Sequence, residues 1–211
     1  MNTPAELLQS GLQQLPLVAI LRGLTPAEAP AIGQALTTAG FLLLEVPLNS
    51  PQPLDSIAAL AAQHPHLLIG AGTVMTTGDV RNVQAAGGRL IISPHFDAQV
   101  VHEALRLGLA CMPGVATPSE AFAALQAGAH ALKLFPAEMI APAVVKAMRA
   151  VLPASVALLP VGGVGPDNMA AYRQAGASGF GIGSALYKPG QSAADTAAAA
   201  QRFIQSWTSI P

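Results

Sequence analysis

Three lysines occur in the chain: Lys133, Lys146 and Lys188. Lys146 has Arg149 three residues on and reads as part of a solvated helix face. Lys188 precedes Pro189-Gly190 and reads as a loop residue. Lys133 differs, because it stands inside the apolar run Ala131-Leu132-Lys133-Leu134-Phe135-Pro136. Strand alternation turns it away from Leu132 and Leu134. A buried ammonium is costly without a partner, and desolvation lowers a lysine's pKa. A neutral amine of this kind can attack a carbonyl and form a Schiff base. The other reading is a lysine that snorkels or pairs with an acid for structure. Glu45 has the same oddity, following Phe41-Leu42-Leu43-Leu44 and preceding Val46-Pro47. A carboxyl beside an imine-forming lysine can shuttle protons during carbonyl chemistry. A purely structural Glu-Lys pair would leave the same trace.

Further candidates sit where apolar runs stop. Arg22 ends Ile20-Leu21-Arg22-Gly23 and offers a fork for a carboxylate, or else a surface salt bridge. Thr73, in Gly70-Ala71-Gly72-Thr73, offers a hydroxyl and an N–H, or else a helix cap. Two glycine clusters come late: Val161-Gly162-Gly163-Val164-Gly165 and Gly181-Ile182-Gly183-Ser184. Glycine lets backbone N–H groups come close to an anion, although tight turns alone would also use it. His95, after Ser93-Pro94, reads as a polar loop residue or a pocket-lining one. Cys111, the lone cysteine, reads as a small core residue. None of the five histidines forms an HExxH-type pair, so neither a metal nor a cofactor is expected.

These residues need elements to hold them. The chain has 211 residues, 52% apolar and only 10% charged, with a formal net charge of −1. That composition excludes a disordered chain and lacks the basic patch of a nucleic-acid binder. Mean hydropathy is +0.47, but no run of about 18 apolar residues occurs, so no membrane span is expected. The N-terminus has no basic residue before Arg22 and does not read as a signal peptide. A cytoplasmic setting without nucleic-acid or membrane partners is expected.

The hydrophobicity resolves into short continuous runs, as parallel strands buried on both faces require. They are residues 17–21, 41–46, 67–71, 90–92, 109–112, 131–135, 156–161 and 179–182. Ala-rich helical segments lie between them. Gly40, Gly87, Gly108, Gly128 and Gly176 read as helix stops, with Pro65 and Pro153 filling gaps in that rhythm. Thr25-Pro26-Ala27-Glu28 and Thr117-Pro118-Ser119-Glu120 read as helix starts, and Pro166 as a first helical residue. Eight strand–helix units without a linker predict an α/β chain whose residues 1–211 form a single (β/α)8 TIM barrel domain. The rival, a doubly wound sheet, would carry a G-x-G-x-x-G after the first strand. In a barrel the strand-end residues above converge at one mouth.

Several segments, taken together, resemble one family. They are Leu44-Glu45-Val46-Pro47-Leu48-Asn49-Ser50, Ile69-Gly70-Ala71-Gly72-Thr73-Val74, Ile92-Ser93-Pro94, Met112-Pro113-Gly114, Lys133-Leu134-Phe135-Pro136-Ala137 and Gly162-Gly163. In order and spacing they resemble the 2-keto-3-deoxy-6-phosphogluconate aldolases over nearly the whole chain. The resemblance implies a homotrimeric barrel that cleaves phosphorylated sugar acids to pyruvate and glyceraldehyde 3-phosphate. It implies Lys133 as the Schiff-base lysine and Glu45 as the general acid/base. Arg22 and Thr73 would then hold the carboxylate, and Gly162, Gly163, Gly183 and Ser184 the phosphate. Pro94 and Phe135 would wall the pocket. Two departures from the phosphogluconate pattern stand out. Asn49 replaces that branch's arginine, with Arg22 available instead, and Val161 replaces its threonine before the double glycine. Both resemble the phosphogalactonate branch. A phosphogluconate or dual-epimer aldolase and a non-catalytic phosphosugar-binding barrel remain the alternatives.

Overall fold

The computed structural model describes residues 2–210. Each apolar run of the sequence contains a strand. The strands are β1 (Leu17–Ile20), β2 (Leu43–Pro47), β3 (Leu68–Gly72), β4 (Leu90–Ile92), β5 (Ala110–Met112), β6 (Gly114–Val115), β7 (Leu132–Leu134), β8 (Leu158–Pro160) and β9 (Phe180–Ile182). All pairings are parallel. One curled sheet has the order β5-β4-β3-β2-β1-β9 and a second the order β6-β7-β8. The architecture shown is therefore an α/β fold around a six-stranded parallel half-barrel, with a three-stranded sheet beside it. Two features join the sheets. β5 and β6 are separated only by Pro113, whose carbonyl accepts from the Lys133 N–H at 3.0 Å, and an isolated bridge links Val161 to Gly181.

Between strands run α1 (Pro4–Gln14), α2 (Ala29–Ala39), α3 (Pro53–Gln63), α4 (Thr77–Ala85), α5 (Ala98–Arg106), α6 (Pro118–Gln126), α7 (Pro142–Val151), α8 (Met169–Gln174) and α9 (Ala193–Ser209). Among the described residues no helix is long and apolar enough to cross a membrane. All five predicted glycine stops have positive φ, the left-handed geometry that ends a helix.

The Thr-Pro-x-Glu pattern behaves in two ways. At Thr117 it is a capping box for α6, as its sequence predicts. At Thr25 it closes a turn instead, and α2 begins only at Ala29. Pro30 has no N–H to complete an earlier turn, and the Thr25 hydroxyl donates to the Glu28 carboxylate instead of accepting from the Glu28 N–H. A third copy, Thr3-Pro4-Ala5-Glu6, caps α1, a helix outside the regular strand–helix rhythm. Pro166 also falls short of its predicted place. Residues 166–168 form a turn, because Asn168 accepts from the Gly165 N–H and donates to the Gly163 carbonyl, so α8 starts at Met169.

Two packed layers follow from strand alternation. Leu17, Ala19, Leu44, Val46, Leu132 and Leu134 face the helices. Val18, Leu43, Leu68, Leu90, Ile92, Met112, Ala131 and Leu159 face inward and pack with Leu8 of α1. Gly11 lets α1 sit close, since a Cβ there would lie 2.7 Å from Leu43 Cδ2. Thus α1 plugs the end where the strands begin, and the end where they finish is left for chemistry. Leu8→Ala should cost about 2–5 kcal/mol, the usual range for emptying a buried leucine site. Urea unfolding monitored by circular dichroism measures it, and a loss under 1 kcal/mol would show that the plug is dispensable.

Candidate active site

The inward face continues upward from that apolar layer. Glu45 lies two residues beyond Leu43, and Lys133 two beyond Ala131, so strand parity turns both inward. Register places Ile20 opposite Glu45 and Glu45 opposite Gly70. Glu45 is 1% exposed and Lys133 6%. Burial is the main force on both. It pushes the Glu45 carboxyl up to about 7, against the opposing charges of Lys133 and Arg22 and the Gly72 N–H. It pulls the Lys133 amine below the ordinary lysine range. Glu45 partly offsets that drop and Arg22 adds to it. The two residues thus sense one another's charge, yet the ion pairs among the described residues are only Arg81–Glu103 and Arg106–Glu103. Burial thus shifts Lys133 toward its neutral amine and makes Glu45 titrate near neutrality, where it can both take and return a proton. Glu45 Oε2 is buried without a hydrogen-bond partner.

Gly72 makes room for that carboxyl. A Cβ on Gly72 would overlap both Glu45 oxygens. Thr73, next in the chain, is half-buried and left-handed at φ 58°. A β-branched residue there stores roughly 1–3 kcal/mol of strain. Such strain is characteristic of ligand-holding loops.

Arg22 is exposed just past β1. Two contacts hold its loop. The Gly23 N–H donates to Ser50 Oγ at 2.9 Å, tying it to the loop after β2. Glu28 ties it to the loop after β9. Glu28 Oε2 accepts from the Thr25 N–H and hydroxyl at 3.0 and 2.6 Å, and Oε1 accepts from the Gly190 N–H at 3.1 Å. These bonds, the Thr25 hydroxyl first, hold the Glu28 carboxyl below its ordinary range.

A cavity of about 610 Å3 opens at this end. Of the sequence-predicted residues, Arg22, Phe135, Val161, Gly162, Gly163, Gly183 and Ser184 line it. Lys133, Glu45, Thr73 and Pro94 do not. Lys133 adjoins it through Phe135, with Nζ 4.5 Å from the ring centroid. Pro94 is half-buried, its carbonyl against Gly114. His95 is exposed. Cys111 is fully buried, and burial pushes its thiol up to about 12. The lining residues with polar side chains that escaped the sequence reading are Glu138, Tyr187 and Lys188. Lys188 follows β9 closely, and that position was the available signal. Glu138 and Tyr187 carry no comparable signal, nor does Gly72.

Residues 8–201 match the family model for KDPG and KHG aldolase. The chain belongs to the KDPG and KHG aldolase family. It is 46% identical over 195 residues to the 2-dehydro-3-deoxy-6-phosphogalactonate aldolase of Escherichia coli strain K12, covering 92% of this chain and 95% of that one. It is 49% identical over 181 residues to the probable 2-dehydro-3-deoxy-6-phosphogalactonate aldolase of Rhizobium meliloti strain 1021, covering 85% of each. A solved structure described as "Native KDPGal structure" superposes with a TM-score of 0.90 at 45% identity, covering 92% of this chain and 95% of that one.

The Glu45 shift has a consequence for stability. Its pKa is raised on folding, so between 4.5 and about 7 the folded chain binds the proton more tightly than the unfolded chain. Stability from this group is therefore lost as pH rises through about 7. Relative to Glu45→Gln, the wild type should lose stability across that window. Denaturant melts of both proteins at several pH values test this, and parallel curves would contradict it.

Proposed function

We propose that the chain is a Schiff-base aldolase that cleaves 2-dehydro-3-deoxy-6-phosphogalactonate to pyruvate and glyceraldehyde 3-phosphate. One observation carries the reading. A buried lysine amine, held toward its neutral form, faces inward beside a buried glutamate that titrates near neutrality. Both sit one step above the apolar layer of the inward face, and Phe135 joins Lys133 to a cavity large enough for a sugar acid. The names of the two relatives and of the solved structure supply the substrate class.

Arg22 and Thr73 hold the substrate carboxylate. Neutral Lys133 adds through Nζ to the carbonyl at carbon two, and loss of water gives a protonated imine. Glu45 takes the proton from the carbon-four hydroxyl. The bond between carbons three and four breaks, its electron pair neutralises the iminium as an enamine, and glyceraldehyde 3-phosphate leaves. Glu45 returns its proton to carbon three, and water hydrolyses the imine to pyruvate. Backbone N–H groups of Gly162 and Gly163, at φ 112° and 61°, together with Gly183 and Ser184, hold the phosphate. That remote binding energy positions the reacting end. Pro94 and Phe135 keep it dry.

The surrounding scaffold fits the same reading. The Val161–Gly181 bridge and the single-residue break at Pro113 support one closed (β/α)8 barrel built as one domain over residues 1–211. Exposed apolar side chains, Met139 at 79% and Val151 at 57% among them, support contact with further subunits, for which the family resemblance implies a homotrimer. A cytoplasmic setting follows from the substrate.

Borohydride with pyruvate should fix a pyruvate-derived mass on Lys133, and Lys133→Ala should abolish the adduct. Glu45→Gln should slow turnover about 10²–10⁴-fold, the range of acid–base catalysis. Labelling confined to Lys146 or Lys188 would refute the assignment of Lys133, and an unchanged mass would favour a non-catalytic binding barrel.

The epimer preference rests on Val161, an apolar residue at the cavity wall just before Gly162. A threonine there could hydrogen-bond the carbon-four hydroxyl, as valine cannot. Val161→Thr should shift the ratio of kcat/KM values about fivefold toward the gluconate epimer, the worth of about 1 kcal/mol of hydrogen bonding. Equal wild-type turnover of the two purified epimers would make the chain a dual aldolase.

A further inference from the structure

Glu138 lies in the 3-10 turn Ala137–Met139, immediately after β7. The turn is fixed on two sides. The Ala137 N–H donates to the Val161 carbonyl at 2.9 Å, and the Tyr172 hydroxyl donates to the Ala137 carbonyl at 3.0 Å. This anchoring aims the Glu138 side chain across the two glycines that follow β8. A Cβ on Gly162 would overlap Glu138 Oε2, and one on Gly163 would lie 3.1 Å from Glu138 Cγ. The carboxylate therefore lies directly on the backbone surface that makes the cradle. Neither ion pair among the described residues includes it. Lys188 lines the same cavity without pairing with it.

An unpaired carboxylate on an anion cradle is a repulsive element. It weakens the binding of any anion that must displace it. We propose that Glu138 sets the phosphate affinity of the Gly162–Gly163 cradle, lying across it until a phosphate displaces it. This rests on the phosphate reading given above and adds a competitor for the same surface. A free phosphate ion meets the displacement cost with cradle contacts alone. A phosphate tethered to a keto acid meets it with additional contacts at Arg22 and Lys133. Glu138 thereby weakens both, and keeps the cradle from filling with inorganic phosphate at concentrations where the tethered substrate still binds.

The test is calorimetric titration of inorganic phosphate into the wild type and Glu138→Gln, at low and high salt. A competition arm with the phosphorylated substrate confirms which site the phosphate occupies. The glutamine variant should bind phosphate about fivefold more tightly or better at low salt, because like charges in contact are penalised. The advantage should shrink at high salt as screening shortens the reach of the charge. Glu138→Ser, which removes the charge and the bulk together, should also bind more tightly. Equal or weaker binding by both variants overturns the role of Glu138 and leaves the phosphate reading intact. Failure of phosphate to bind any of the three proteins, or to compete with the substrate, overturns both.

Discussion

Water stabilises an ammonium or a carboxylate far better than a packed interior does, so burying either one favours its neutral form. In this chain that penalty falls on one residue of each kind, facing the same enclosed space. The amine of Lys133 is driven down and the carboxyl of Glu45 is driven up, which brings two groups with distant ordinary pKa values toward the same range. A closely paired Lys-Glu couple would keep both charged and leave the amine without a free lone pair. The apolar layer beneath them, from Val18 and Leu43 to Leu159, keeps water out from below. Replacing that layer with polar side chains would return both groups to their ordinary behaviour without touching either.

Glycine does the complementary work of making space. The Glu45 carboxyl fits only because Gly72 has no side chain, and the Glu138 carboxylate reaches the cradle only because Gly162 and Gly163 have none. The same absence at Gly11 lets α1 lie against Leu43. Side chains and the bare backbone beside them are therefore one arrangement.

Much of this was legible in the sequence. Parallel strands buried on both faces appear as uninterrupted apolar runs, and each run contains a strand. An ionisable residue inside such a run is conspicuous for the same reason, so Lys133 and Glu45 stood out. What was not legible depends on distant partners. Thr25-Pro26-Ala27-Glu28 has the pattern of a helix start, but the Thr25 hydroxyl donates to the Glu28 carboxylate and Pro30 removes a donor, so it forms a turn. Glu138 and Lys188 look like ordinary surface charges until the chain brings both to one cavity. Gly72 resembles any strand glycine until Glu45 is laid over it. The short β6 was hidden because its two residues lie beyond Pro113, where the apolar run 109–112 has already stopped.

The Glu28 carboxylate bonds to a backbone amide 162 positions away, and β1 lies between β2 and β9. A ribosome delivers Arg22, Glu45 and Lys133 well before Phe180–Ile182. Until that last strand emerges, β1 has an open edge of the sort that recruits other chains, and the loop carrying Arg22 lacks its tether. Assembly of the mouth is thus a terminal event of biosynthesis. Nascent chains are left exposed to mispairing for most of translation, as expected for folds dominated by long-range contacts.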